Sequence, residues 1–495
     1  MRKWWSLTAV VAVLAGLVVP AVATAAPADA VTWVACPEDV AAPGLECGRV
    51  QVPLDYSRPD GRRIELAISR LASRNPEKRR GILLTNPGGP SPGLTFPAQL
   101  RLGGLPQGVQ DAYDVIGVDG RGIGHSTPVT CDLTQEQQYA GSIPPYAVTP
   151  ADVREHADDV KQIARQCARS STAYLLPHAT TANTARDLDR VRAALGERKA
   201  SFLGYSYGTY LGAVYATLFP HSTDRVVLDS NLGAGGWDVE GGRMFGRGME
   251  DAFPDFARWL GAHPELGLGS TPQQARAKYF EIAGRLDRAP VQGVTGGQFR
   301  LLTFAGLYRS GDAAFGKLAA LWKALDTDTP LPPDDTTPPA GLENVIAARF
   351  FVICGDSRWP GSVRTYEHNV AVDRVRYPMF GAAGANIQPC AFWQDPVEPP
   401  VRISDRGPHN VLMVQNERDP ATPLAGARTL RRAFGDRASM VTVDHSGHGA
   451  YLWAGNRCAD EKVTAYLLGG RPPAHDTGCA AETRPAASGQ VPPIG

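Results

Sequence analysis

The sequence predicts an α/β fold: an eight-stranded, mostly parallel sheet with helices on both faces and a mostly helical insertion after the sixth strand. Three observations predict it. Short apolar runs suited to buried strands alternate with helical stretches through the first part of the chain. One such run, Ser201-Phe-Leu-Gly-Tyr, enters a Gly-x-Ser-x-Gly turn and leaves it as a helix of small and apolar residues. After Ser230 the strand pattern stops, and it resumes only at Asn410.

The first residues place Arg2 and Lys3 before an apolar run from Leu7 to Val19 that ends at Pro20. A membrane span needs about 20 apolar residues, so the run reads as a secretory signal peptide over 1–30, cut after Ala25 or Ala30. Export without a lipid anchor is expected, because Cys36 stands in a poor attachment context, and the mature chain should be free of the membrane. Eight cysteines with no Cys-x-x-Cys pair point to disulfides rather than a metal site. Proximity along the chain pairs Cys36 with Cys47, Cys131 with Cys167, Cys354 with Cys390 and Cys458 with Cys479. No metal or cofactor is expected.

The next 200 residues, 31–230, read as the first part of the catalytic body. Arg49 to Tyr56 and Ile64 to Leu71 alternate like half-buried strands around the turn Arg58-Pro-Asp-Gly61. Gly81 to Asn86 is a continuous apolar strand ending in Pro87-Gly-Gly-Pro-Ser-Pro-Gly93, a glycine-rich turn suited to bringing backbone N–H groups close to an oxyanion. Tyr113 to Asp119 is the fourth strand, and its turn, Gly120-Arg-Gly-Ile-Gly-His-Ser126, fails as a dinucleotide site because His125 replaces the third glycine. Arg121 is expected to tie loops together. Helices follow from Asp152 to Ala168 and from Thr184 to Leu195, where Gly196 stops the second. Arg225 to Ser230 is the sixth strand.

The segment 231–405 is neither sheet nor linker. It carries helical stretches (Met249 to Leu260, Pro272 to Leu286, Ala313 to Leu325), proline-rich connectors, and five tryptophans, Trp237, Trp259, Trp322, Trp359 and Trp393, which imply a packed core of its own. It reads as a cap. The second part of the body, 406–483, adds strands from Asn410 to Gln415 and Ser439 to Asp444, a helix between them from Leu424 to Phe434, and a last helix near Ala459 to Leu468. A Pro/Gly/Ala tail over 484–495 is expected to be disordered.

With 50 Lys+Arg against 50 Asp+Glu and no basic run or basic-aromatic stripe, nucleic acid is not an expected partner. The chemistry points to a serine nucleophile. A hydroxyl needs a base in contact and an acid to orient that base. Ser206 sits at the tip of the strand-to-helix turn; Asp419 lies just beyond the seventh strand and His448 just beyond the eighth. The order Ser, Asp, His suits this architecture, and the 29 residues from Asp419 to His448 fit one loop, one helix and one strand. Glu417, Asp444 and His445 compete; Asp419 is preferred because its loop opens with Asp-Pro, and His448 because glycines flank it.

Seven segments together resemble the secreted tripeptidyl aminopeptidases of the α/β-hydrolase superfamily, serine exopeptidases related to prolyl aminopeptidases. They are Val52-Pro-Leu-Asp-Tyr56, Asn86-Pro-Gly-Gly-Pro90, Asp119 to Ser126, Gly204 to Gly212, Cys354-Gly-Asp356, Asp419-Pro-Ala-Thr-Pro423 and Gly447-His-Gly-Ala-Tyr451. The resemblance implies release of short peptides, tripeptides in this family, from the free N-termini of peptides or proteins, with Ser206, Asp419 and His448 as triad. It also implies an oxyanion hole from the amides of Gly89 and Tyr207. The chain departs from the family at Ser91-Pro-Gly93, where further glycines are usual. Two acids are placed to receive a substrate ammonium: Asp229 at the end of the sixth strand, and Asp356 within the cap. A secreted carboxylesterase or lactonase would use the same triad, and a non-catalytic binding protein is a more remote alternative that has no need of one.

Overall fold

The computed structural model describes residues 30–333 and 341–482. The expected signal segment before Ala30 and the tail 484–495 lie outside them. Ten strands form one sheet: β1 (Thr32–Val34), β2 (Leu45–Pro53), β3 (Arg63–Leu71), β4 (Gly81–Asn86), β5 (Tyr113–Val118), β6 (Ala200–Tyr205), β7 (Thr223–Asp229), β8 (Val411–Arg418), β9 (Ala438–Ser446) and β10 (Thr477–Cys479). Their order is β1-β2-β3-β5-β4-β6-β7-β8-β9-β10. The strands from β5 across to β10 run parallel, and the β2–β3 hairpin joins them antiparallel through β3. This is the α/β-hydrolase sheet. The eight expected strands are β2 to β9; β1 and β10, three residues each, add a short edge on either side.

Period-two alternation divides neighbouring residues between two cores. Leu84, Phe202, Val226, Leu228 and Met413 face one way, under helices Pro150–Arg169, Thr181–Ala194 and Tyr207–Leu218. Leu83, Leu203, Val227, Leu412 and Val414 face the other, under helices Phe96–Leu102, Gln107–Ala112 and Arg457–Gly469. The parallel strands are buried on both faces, which is why they read as unbroken apolar runs. The strand order reverses around β4, with β5 on one side and β6 on the other. Loops leaving the carboxyl ends of β4 and β6 therefore meet at a crevice, the place where such sheets bind ligands.

Between β7 and β8 the chain is helical. Helices Val239–Gly261, Pro272–Arg288, Gly296–Gly306 and Asp312–Thr327 enclose a separate core around the fully buried Trp322, whose ring meets Phe256 at 5.2 Å and Phe299 at 5.4 Å. Helix Leu342–Asp356 behaves differently: its Ile346, Phe350 and Phe351 join the core of the sheet, and Trp359 and Trp393 pack there too. The four cysteine pairs expected from proximity are all bonded, Cys36–Cys47, Cys131–Cys167, Cys354–Cys390 and Cys458–Cys479. The last ties β10 to helix Arg457–Gly469.

Two of the glycine- and proline-rich motifs are scaffold. Arg121, fully buried, forms a two-pronged ion pair with Asp187 (2.6 and 2.8 Å) and donates to the carbonyls of Leu54 and His178. Tyr56 closes the group by donating to Asp187 at 2.7 Å. The hairpin, the turn after β5 and helix Thr181–Ala194 are thus joined around one guanidinium.

Candidate active site

Ser206 stands between β6 and helix Tyr207–Leu218 with φ 54° and ψ −122°. A non-glycine residue holds such a conformation only where its surroundings impose it. Here the Ser206 amide donates to the carbonyl of Asp229 (3.0 Å), while the Ser206 carbonyl accepts from the Thr209 amide (2.9 Å) and hydroxyl (2.6 Å). The flanking glycines are required by space: a Cβ on Gly204 would fall 2.4 Å from the Gly208 carbonyl oxygen, and one on Gly208 would fall 2.7 Å from Asn86 Oδ1. The loop after β4 closes in from the side. Gly88 (φ 105°) lies so near that a Cβ there would meet Ser206 Cβ at 2.9 Å, and Asn86 Oδ1 accepts the Gly88 amide at 3.0 Å. The Tyr207 amide, first in its helix, has no partner inside that helix.

Asp419 and His448 are brought together. His448 Nδ1 lies 2.9 Å from both Asp419 oxygens, and both side chains are buried. Asp419 is further held by the amides of Ala421 and Thr422 (2.9 Å each) and by the Thr422 hydroxyl (2.9 Å). The glycines beside His448 carry φ of 112° and 91°, the left-handed backbone that aims the histidine loop. Asn416 donates to the carbonyls of Gly447 and Gly449 and fixes that loop from below. His448 Nε2 is buried without a hydrogen-bond partner.

The competing side chains go elsewhere. Asp444 pairs with Arg418 at 2.7 Å, the half-exposed Glu417 lies at the edge of the same pair, and His445 meets the Ser310 hydroxyl at 3.0 Å. Burial pushes His445 down to about 4.

Ser206 opens on a small cavity of about 30 Å³. Gly89 and Ser206 line its sheet side; Trp237, Phe245, Tyr308 and Arg349, all from the inserted segment, roof it. Tyr308 reaches the histidine as well: its carbonyl accepts the His448 amide (2.9 Å), and its ring stands edge-on to the imidazole at 5.0 Å. The roof and the Asp–His pair therefore share one residue.

Neither acid expected to receive a substrate ammonium lines this cavity. Asp229 is fully buried, and its carboxylate accepts the amides of Ala450 (2.9 Å) and Tyr451 (2.6 Å) and the Ser230 hydroxyl. Asp356 accepts the amide and hydroxyl of Thr181, each at 2.6 Å, at the start of helix Thr181–Ala194; that hydroxyl also meets the Tyr207 phenol at 2.7 Å. Burial pushes both carboxyls up to about 7, against the hydrogen bonds that favour the anion. Chain position alone points to both acids, and packing turns both carboxylates onto backbone amides.

Three site residues were not expected. Thr422 had a signal, its position in Asp419-Pro-Ala-Thr-Pro423. Tyr308 and Arg349 had none, because each reaches the site from a helix end or helix face far away in the chain.

A family model described as TAP-like protein matches residues 377–479, the segment that carries Asp419 and His448. Over most of its length the chain is 35% identical to the tripeptidyl aminopeptidase of Streptomyces lividans, covering 92% of this chain and 87% of that protein. It is 30% identical to serine protease Hip1 of Mycobacterium tuberculosis H37Rv, over 96% and 97% of the two chains. It is also 30% identical to a protein of the same strain called carboxylesterase B, over 91% and 90%.

Proposed function

Because the chain belongs to the α/β-hydrolase family of the Streptomyces tripeptidyl aminopeptidases, we propose that it acts as a serine peptidase with Ser206 as its nucleophile, His448 as general base and acid, and Asp419 as the group that orients His448. One observation carries this reading. His448 is bonded to Asp419 through Nδ1, its Nε2 has no partner, and Tyr308, which packs on its ring, lines the same cavity as Ser206.

In the proposed reaction, Ser206 Oγ passes its proton to His448 Nε2 as it attacks the substrate carbonyl carbon. Asp419 stabilises the imidazolium and holds the tautomer with Nε2 free to accept. The amides of Gly89 and Tyr207 receive the oxyanion, each such donor being worth about a hundredfold or more in rate. His448 then delivers the proton to the leaving amine as the C–N bond breaks and the acyl-enzyme forms on Ser206; water next gives a proton to His448 and attacks the acyl carbon, and His448 returns that proton to Ser206 Oγ as the C–Oγ bond breaks and the carboxylic acid leaves.

The roof supports a reading of the substrate range. The segment 231–405 acts as a cap whose Trp237, Phe245 and Tyr308 lie over Ser206, an arrangement suited to confining cleavage to chain ends. Release of short peptides from free N-termini, tripeptides as the name of the Streptomyces relative states, is the activity that fits. The test is a tripeptide anilide against its N-acetylated twin: the free form should be cleaved far faster, and equal rates would overturn the exopeptidase reading.

A second reading, a carboxylesterase, is favoured by the relative of that name, since the elbow and the Asp–His pair serve an oxygen leaving group equally well. A kcat/KM for simple aryl esters far above that for peptide anilides would favour it. Export is proposed as well: four disulfides suit an oxidising compartment, and no helix among the described residues is long and apolar enough to cross a membrane.

A further inference from the structure

Among the described residues, Arg349 is the one charged side chain lining the cavity over Ser206. It rises from helix Leu342–Asp356; Nε donates to the Pro90 carbonyl (3.3 Å) and Nη1 to the Ser142 hydroxyl (3.1 Å). Those contacts occupy two of the five N–H donors of a guanidinium. No carboxylate lies within ion-pair distance of it among the described residues. Arg121 and Arg300 face Asp187 and Asp287, whereas Arg309 and Arg437 meet no carboxylate among the described residues but, unlike Arg349, do not line the cavity. Burial pushes the Arg349 guanidinium down to about 10.

A guanidinium left like this inside a binding cavity is costly unless a ligand anion completes it, and its planar fork matches a carboxylate in two parallel bonds. Its place fixes where that anion would lie. Arg349, Gly89 and Ser206 line the same cavity, and Pro90, which accepts from Arg349, directly follows Gly89, the residue proposed to hold the oxyanion, so an anion on the remaining donors of Arg349 would lie beside the scissile carbonyl. Resting on the reading of Ser206 as nucleophile, we infer that Arg349 is a specificity-determining residue that pairs with a carboxylate carried by the substrate next to the bond cleaved. The carboxylate has two possible sources: an acidic side chain on the residue whose carbonyl is attacked, or the free C-terminus of a short peptide.

The experiment compares kcat/KM for free-amine tripeptide anilides ending in Glu, Gln or Leu, and for a tetrapeptide against its C-terminal amide, in the wild-type enzyme, Arg349→Lys and Arg349→Gln. The wild type should favour one carboxylate-bearing partner by at least about tenfold, a charged hydrogen-bonded pair being worth that or more. The size of the two ratios identifies the source. Arg349→Gln should lose the preference, its ratio of charged to neutral substrate falling to about one whatever the absolute rate, and Arg349→Lys should keep part of it. Equal handling of charged and neutral substrates by the wild type would overturn the inference without any variant. An equal loss on every substrate in Arg349→Gln would also overturn it, since a residue that only braces the Pro90 loop changes rate and not selectivity. Labelling rates of Ser206 by aryl phosphonates bearing Glu or Gln side chains give the same ratio without peptide turnover. If no peptide is cleaved, the peptidase reading fails and this ratio still decides the role of Arg349.

Discussion

The amide of Ser206 donates to the backbone carbonyl of Asp229 at 3.0 Å, and the carboxylate of that same aspartate holds the two amides that follow the histidine turn, Ala450 and Tyr451. Asp229 thus ties the elbow to the histidine loop. Asp229→Asn would turn an amide nitrogen toward one of those N–H groups, leaving a buried donor unpaired at a cost of about 1–3 kcal/mol. A lowered Tm together with a kcat reduced by about tenfold or more is expected; wild-type kcat in a destabilised variant would show that the loop keeps its position without this tie.

Ser206→Ala should retain the fold and lose at least about a thousandfold in kcat, because one oxygen is removed and that oxygen is the proposed nucleophile. An aryl phosphonate should add one label to the wild type, on Ser206 by peptide mapping, and none to the variant. Labelling elsewhere with retained activity would move the attack to another residue.

Gly204→Ala places a Cβ 2.4 Å from the Gly208 carbonyl and 2.6 Å from the Phe202 ring, so backbone has to shift at the elbow itself. A loss of about 1–3 kcal/mol in denaturant unfolding is expected, with activity falling beyond what the unfolded fraction explains. Gly316→Ala is the contrast. Nothing lies within 4 Å of its Cβ in helix Asp312–Thr327, and the change should stabilise by roughly 0.5–1 kcal/mol. Similar effects at the two sites would remove the packing argument.

Asp356 should make stability depend on pH. Its carboxyl is pushed up to about 7 in the folded protein from an ordinary 3.8, so between those values the native state holds a proton that the unfolded chain has lost. Stability contributed by this group is present below about pH 4 and declines as pH rises toward 7. Asparagine does not titrate and can keep a bond to each Thr181 group. The Tm of Asp356→Asn relative to wild type should therefore rise between pH 4 and pH 8; a difference that stays constant across that range would mean the carboxyl ionises normally.

Cys458 and Cys479 lie 21 residues apart and pin β10 to helix Arg457–Gly469, away from the cavity. Replacing both by serine should cost about 3 kcal/mol by loop closure and leave kcat/KM unchanged. A changed kcat/KM at a temperature where the variant is fully folded would show that this edge of the sheet reaches the site.

Much of the site was legible because it is built from local patterns. The elbow announces itself by glycines at Gly204 and Gly208, whose lack of a Cβ the turn requires, and β4, β5 and β6 by unbroken apolar runs that only a doubly covered strand needs. Asp419 and His448 were found because each follows a strand by a short loop, and strands of a parallel sheet deliver their loops to one edge. Helix Leu342–Asp356 was missed for a matching reason: it is buried from Val345 to Gly355 with few breaks, so it shows no polar stripe for a helical period to register.

What the sequence determined by itself, then, is the backbone frame and the placement of residues that follow from local turns: Ser206 at the elbow, Asp419 and His448 beyond their strands, and the four disulfides between near neighbours. Tertiary structure alone decided which charges face the cavity. It turned Asp229 onto an amide 222 residues away and set Arg349 against the Pro90 carbonyl across 259 residues. A side chain's partner at such a separation depends on how whole helices pack, through many small contacts that no local spacing encodes, whereas a strained turn is written into the few residues that form it.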